Sequence, residues 1–123
     1  LVDDEQEILE SVREILEMMG YKVHCAASGQ QCVATYMENK DKIDLIILDM
    51  ILPGMNGTQV FKMLKSSNPD VKVILSSGYS MDGEVRKVME SGCQSFIQKP
   101  YKFTELSRIV HQALHPSSPS VAD

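Results

Sequence analysis

The sequence predicts an α/β domain: a doubly wound, five-stranded parallel sheet with five helices, in three α/β/α layers. Two observations predict it. Apolar runs alternate with segments of helical periodicity from Leu1 to Leu114 of the 123 residues, which means βα units, a parallel sheet and right-handed crossovers. In addition, four apolar runs end on chemically loaded residues. Leu1-Val2 runs into Asp3-Asp4, Leu45-Ile46-Ile47-Leu48 into Asp49, Val73-Ile74-Leu75-Ser76 into Ser77, and Phe96-Ile97-Gln98 into Lys99-Pro100. Parallel strands deliver all these groups to the carboxyl edge of the sheet, where open α/β sheets hold their ligands.

Taken in order, Leu1-Val2 reads as the end of a first strand. It is too short for a core strand, so residues are expected upstream. Ile8, Leu9, Val12, Ile15, Leu16 and Met19 recur at helical spacing over Glu7–Met19, with Gly20 as the stop. Tyr21–Ala26 alternates like a strand, and Gln30–Asn39 reads as a weaker helix carrying Cys32, Val33, Tyr36 and Met37 inward. The run into Asp49 does not alternate, as expected of a central strand covered on both faces. Met50–Gly57 is a loop by its Pro53, Gly54, Asn56 and Gly57.

Thr58–Ser66 then places Val60, Phe61 and Leu64 on one helical face, Asn68-Pro69-Asp70 breaks the chain, and Val71–Ser76 restarts a strand. Met81–Ser91 is a helix with Val85, Val88 and Met89 inward, ended by Gly92, and Ser95–Gln98 is a short strand. Thr104–Leu114 closes the series with Leu106, Ile109, Val110 and Leu114 apolar. Residues 1–115 are therefore expected as one domain, and the Ser/Pro-rich residues 116–123 as a disordered tail or linker.

The composition is 43% hydrophobic, enough for one core and too short for two domains. A net charge of −5 without a Lys/Arg cluster argues against a nucleic-acid face. Cys25, Cys32 and Cys93 are odd in number and lack zinc spacing, which disfavours a disulfide framework or a zinc site and points to a reducing, cytoplasmic setting. No apolar run is long enough to span a bilayer, so no membrane contact is expected of this segment.

Two carboxylates at one strand end and a third at another raise each other's pKa and call for positive charge. Lys99 is the only cation among the strand-end residues, which leaves a deficit that a divalent ion fills. An oxygen-only ligand set is the preference of Mg²⁺. A carboxylate beside Mg²⁺, faced by Lys99 and the Ser77 hydroxyl, suits attack on a phosphoryl group and predicts an aspartyl phosphate. The N–H groups of Ser77 and Gly78 are further donors, and Gly78 has no Cβ to obstruct a phosphoryl oxygen.

These residues resemble the receiver domains of two-component response regulators, nearly end to end. The acidic pair after the first strand is Asp3-Asp4-Glu5. The D-x-x-[ML]-P-x-x-[DN]-G signature is Asp49-Met50-Ile51-Leu52-Pro53-Gly54-Met55-Asn56-Gly57, the hydroxyl followed by a small residue is Ser77-Gly78, and the Lys-Pro pair is Lys99-Pro100. The resemblance implies a flavodoxin-like strand order 2-1-3-4-5. It implies that Asp49 takes phosphate from a phosphohistidine on a histidine kinase or histidine phosphotransfer protein. Asp4, Asp49 and the Ile51 backbone carbonyl hold Mg²⁺, with Asp3 acting through water. Ser77 and Lys99 bind phosphoryl oxygens, and Ser77 with Phe96 forms the switch.

A cis Lys99-Pro100 bond is also implied, as is a downstream protein reading the face of the fourth helix, fifth strand and fifth helix, with a homodimer compatible with it. The Leu75–Ser80 stretch resembles receivers of hybrid histidine kinases. Ile51 and Tyr79 stand where many relatives carry polar residues on the path of the hydrolytic water, which predicts slow self-dephosphorylation.

Each residue has a plainer reading. Asp3 and Asp4 suit a helix N-cap, Asp49 a turn, and Lys99 a solvated surface; together, however, they require coincidence at one sheet edge. His24, His111 and His115 have no expected partner and read as structural, and the methionines as core fillers. Three rival functions are a degenerate receiver that binds proteins without phosphate, an aspartyl-phosphate phosphatase and a flavodoxin-like electron carrier. The phosphatase pattern needs an acid where Ile51 stands, and Asp3-Asp4 repel a cofactor phosphate.

Overall fold

The computed structural model describes residues 1–52, 54–78 and 83–115. Within them the chain forms helices α1 (Gln6–Met18), α2 (Gly29–Glu38), α3 (Gly57–Ser67), α4 (Gly83–Glu90) and α5 (Phe103–Leu114). Between these lie strands β1 (Ile46–Asp49), β2 (Val73–Ser77) and β3 (Ser95–Gln98). The strands form one parallel sheet in the order β1-β2-β3, with Asp49 opposite Ser76 and Ser77 opposite Gln98.

The apolar periodicities determine which helix covers which face. Val12 and Leu16 of α1 and Leu106, Ile109 and Val110 of α5 pack on Ile47, Ile74 and Ile97. On the other face, Cys32 and Tyr36 of α2, Val60, Phe61 and Leu64 of α3, and Val85 and Val88 of α4 pack on Leu48, Val73 and Leu75. Successive strand residues point to opposite faces, so β1 and β2, buried at every position, supply both cores. The result is the predicted three-layer arrangement.

Helix starts follow local chemistry. The Ser28 side chain accepts from Gln31 N–H at the head of α2. At α3, Asn56 and Gln59 form a reciprocal capping box. Gly20 follows α1 with φ +97°, a conformation that costs glycine little.

The first two expected strands are reduced to single bridges. Val2 pairs in parallel with Ala26 on one side and Leu48 on the other. Its neighbours complete the rungs: Val2 N–H to the Ile47 carbonyl, Asp49 N–H to the Val2 carbonyl, Ala26 N–H to the Leu1 carbonyl and Asp3 N–H to the Ala26 carbonyl. This register sets Ala26 opposite Val2, and the Leu1 amine donates to the His24 carbonyl at 2.9 Å on the same side. Among the described residues three of the five expected strands form a ladder, and the other two are marked by the Val2–Ala26 and Val2–Leu48 bridges. A cavity of about 520 Å³ lies beside this region, lined by Val23, Cys25, Tyr36, Leu45, Ile47 and Leu114 among others; none of the strand-end polar residues lines it.

The described helix ends fall within a residue or two of those expected. Met37, expected inward on α2, is exposed because only the Cys32 and Tyr36 side of that helix faces the core. Met18 and Met63 are exposed too, so not every methionine fills the core. Residues 116–123 and the start of the expected fourth helix at Met81 lie outside the described residues. None of the described helices is long and apolar enough to cross a membrane.

Candidate functional site

The carboxyl edge gathers its acids because three chain segments end there side by side. Val2 is bridged to Leu48, which brings Asp3 and Asp4 beside Asp49 at the end of β1. One oxygen from each of these carboxylates lies within 4.8 Å of the others. Asp3 and Asp49 are buried while Asp4 is exposed, so the cluster has a sealed inner side and a wet outer side.

Lys99 reaches this cluster from the end of β3. Its Nζ donates to Asp49 Oδ2 at 2.9 Å and lies 2.6 Å from Asp3 Oδ2. The Asp3 contact is an ion pair without hydrogen-bond alignment, since Asp3 Oδ2 is buried with no hydrogen-bond partner. The remaining oxygens are used locally: Asp3 Oδ1 accepts from Glu5 N–H at 2.9 Å and Asp49 Oδ1 from Ile51 N–H at 3.1 Å.

Burial is the largest influence on Asp49. It pushes the carboxyl pKa up, against the Lys99 and Ile51 bonds that pull it down, with Asp3 adding to the rise. Burial alone would lower Lys99, but its contacts with the Asp3 and Asp49 carboxylates more than reverse this and raise it well above the ordinary lysine value. One ammonium thus serves two buried carboxylates, and charge remains uncompensated.

Ser77 ends β2 and is buried, its carbonyl accepting Lys99 N–H at 2.8 Å. Gly78 follows, exposed, and a Cβ built on it meets nothing within 4 Å. No protein atom crowds that position. Phe96 lies in β3 opposite Leu75 and packs, partly buried, against the α2–α4 core. The Lys99-Pro100 bond is cis, as the resemblance implied. Tyr79 and Pro53 lie outside the described residues.

The structure therefore brings Asp3, Asp4, Asp49 and Lys99 together and places Ser77 and Gly78 at the adjoining strand end. Two features were not foreseen. Asp3, assigned a role through water, is the fully buried member in direct contact with Lys99. Ser76 and Tyr101, given no role, share a hydroxyl–hydroxyl bond of 2.5 Å beside the carboxylates. For Ser76 a signal existed: alternation puts it on the sheet face of its register partner Asp49.

The donor set fits a divalent cation. Its members are oxygens only, and the buried Asp3 Oδ2, which has no hydrogen-bond partner and only the Lys99 ammonium as counter-charge, is what a hard cation or its water shell would further satisfy. Among the described residues no imidazole or thiolate joins this cluster.

Comparison with known proteins agrees with this geometry. Residues 1–111 match the family model described as the response regulator receiver domain. The chain is 30% identical over 114 residues to sporulation initiation phosphotransferase F of Bacillus subtilis, covering 93% of this chain and 90% of that protein. It is 31% identical over 114 residues to the sensor kinase CckA of Brucella abortus, covering 93% of this chain but 12% of the kinase. A CheY-like response regulator receiver domain protein of Methanospirillum hungatei shares the fold at a TM-score of 0.85 and 30% identity, over 94% of this chain and 90% of that one. The chain spans less than half the length of several curated relatives, 46% and 30% in two further cases.

Proposed function

This chain belongs to the response regulator receiver domain family of two-component phosphorelay signalling, and from that membership we propose that Asp49 is its phosphoacceptor. The observation that carries the reading is the meeting of the three carboxylates with one ammonium at Asp49. An Asp49 carboxylate oxygen attacks the phosphorus of a phosphohistidine. The new O–P bond forms as the P–N bond breaks, and the imidazole leaves with its electron pair and takes a proton.

Lys99 is placed to pair with a phosphoryl oxygen as the charge redistributes, exchanging its Asp49 contact for the new anion. The Ser77 hydroxyl and the N–H groups of Ser77 and Gly78 are read as donors to the other oxygens. Asp4, Asp49 and the Ile51 carbonyl would hold Mg²⁺, with Asp3 behind them. When bound, the ion supplies charge neutralisation to the transferring group. The contact of Asp3 with Lys99 supports a positioning part for Asp3 in addition to the water-mediated one.

The output is read as a population shift. A dianionic group at Asp49 draws Ser77 toward it, Phe96 turns into the space released, and the face of α4, β3 and α5 changes for a downstream protein or a second copy. The phosphodonor is a histidine kinase or histidine phosphotransfer protein. The domain is taken as residues 1–115, with the strand order 2-1-3-4-5 marked at its first two positions by the Val2 bridges. A hybrid histidine kinase is a fitting parent, given the sensor kinase relative of which the chain spans 12%, and a cytoplasmic location suits a phosphorelay. The phosphatase alternative lacks its acid, since Ile51 stands two residues beyond Asp49.

The test is intact-mass spectrometry after incubation with phosphoramidate or acetyl phosphate, with and without Mg²⁺. A single Mg²⁺-dependent phosphoryl adduct on Asp49 is expected. A folded protein that takes none is a phosphate-independent interaction module instead.

A further inference from the structure

We propose that Tyr101 is a positioning residue for Lys99: its hydroxyl, bonded to Ser76, fixes the turn that presents the Lys99 ammonium to Asp49. The role in phosphoryl transfer rests on the Asp49 reading above; the positioning itself rests on geometry. A lysine ammonium sits on a flexible four-carbon stem and has no fixed aim of its own. Here the backbone beneath it is fastened at two points to successive residues of β2. Lys99 N–H donates to the Ser77 carbonyl at 2.8 Å, and two residues on, the Tyr101 hydroxyl meets Ser76 Oγ at 2.5 Å.

Strand β2 in turn pairs with β1 so that Ser76 stands opposite Asp49. The carboxylate and the anchor of the ammonium thus share one rigid rung. Ser76 is fully buried, and Tyr101 is partly buried with its ring packed against the Ile74–Ile97–Leu106 cluster. The ring therefore has packing that holds it without the hydroxyl. Because Ser76 is the register partner of Asp49, the Ser76–Tyr101 bond lies on the rung that ends at the acceptor.

The cycle that tests this pairs Tyr101→Phe with Lys99→Ala. Tyr101→Phe keeps the ring and removes the bond, and it is expected to slow labelling by phosphoramidate about three- to tenfold, the worth of one hydrogen bond expressed in a barrier. In the Lys99→Ala background it is expected to slow labelling no further. Ser76→Ala should reproduce the effect from the other side, and the double variant Ser76→Ala/Tyr101→Phe should be no slower than either single one.

A purely structural hydroxyl would lower the melting temperature and slow labelling equally in both backgrounds. The independent readout is the ¹H–¹⁵N signal of the Lys99 ammonium, expected to be sharp in the wild type and broadened or lost in Tyr101→Phe. If folded Tyr101→Phe labels within twofold of wild type and keeps that signal, the proposal is overturned. If the wild type takes no label, the Asp49 reading fails, and the ammonium signal alone decides the positioning.

Discussion

Lys99 Nζ donates to Asp49 Oδ2 at 2.9 Å across fifty residues of sequence, and this bond leaves Asp49 only partly compensated. Burial holds the Asp49 pKa above the ordinary carboxylate value despite the lysine. A folded pKa above the unfolded one means that the folded state binds the proton more tightly. Ionisation therefore penalises folding as pH rises through the ordinary carboxylate range toward the raised value. Asp49→Asn removes that penalty while Lys99 keeps Asp3. The metal-free variant is expected to be more stable than wild type at pH 7, with the gap closing as pH falls. Urea titrations at several pH values measure it; equal stability at neutral pH would show that Lys99 fully compensates Asp49. The same variant should take no phosphoryl adduct.

On the proposed reading the acids also set a metal dependence. Asp3→Asn and Asp4→Asn are each expected to weaken Mg²⁺ binding about 10- to 100-fold, read by calorimetric titration, and a chelator should abolish labelling. Asp4 is exposed and Asp3 is fully buried against Lys99. Asp3→Asn should therefore also lower the melting temperature, while Asp4→Asn should leave it unchanged or raise it. Unaltered Mg²⁺ affinity in both variants would remove these carboxylates from the metal site.

What the sequence made legible follows what each residue depends on. Asp49, Ser77 and Lys99 were readable because each ends an apolar run, and a parallel sheet sends such ends to one edge. The helices were readable from residues such as Leu9, Val12 and Leu16, whose spacing reflects local geometry. The Tyr21–Ala26 alternation is matched only at its end, where Ala26 bridges Val2, because a strand's extent depends on its neighbour as well as on its own residues. The depth of Asp3 relative to Asp4 depends on tertiary packing, and the Ser76–Tyr101 bond joins residues twenty-five apart with no periodic signal.

Tyr101 gives the alkaline limit of stability. Burial first, with Asp3 and Asp49 adding to it, pushes its phenol up to about 12, against the opposing pull of Ser76 and Lys99. The unfolded chain releases this proton near pH 10 while the folded chain retains it. Stability is complete below pH 10 and lost as pH rises toward 12. Tyr101→Phe lacks this loss. The difference in stability between wild type and variant should shift by roughly 2 kcal/mol across that interval, as followed by denaturant titration. A difference independent of pH would mean that the phenol is solvated.

Gly57 secures the loop that follows Asp49. A Cβ there would lie 2.7 Å from Met50 Cα and 3.0 Å from the Asp49 carbonyl oxygen, and backbone cannot yield as a side-chain tip can. Gly57 N–H also donates to the Met50 carbonyl at 2.9 Å. Gly57→Ala is expected to cost about 1–3 kcal/mol and to slow labelling by displacing Asp49. A variant as stable as wild type, measured by thermal unfolding, would show that the loop relaxes freely.

We expect Ile51 to prolong the life of a phosphoryl group on Asp49. It is tied to the acceptor by its N–H on Asp49 Oδ1, yet its side chain is 56% exposed. An apolar group thus stands at the solvent side of the acceptor and does not fill a core. Hydrolysis of an aspartyl phosphate needs a water held in line with the scissile P–O bond, and a branched hydrocarbon offers that water no hydrogen bond. Ile51→Asn supplies a donor and an acceptor at the same place and removes little buried surface. It should accelerate loss of the adduct severalfold, about 1 kcal/mol in barrier for one added hydrogen bond, while leaving the melting temperature within about 1 °C of wild type. Decay of the phosphorylated mass after donor removal measures it. Equal decay of Ile51→Asn and wild type would place control of the water elsewhere in the pocket.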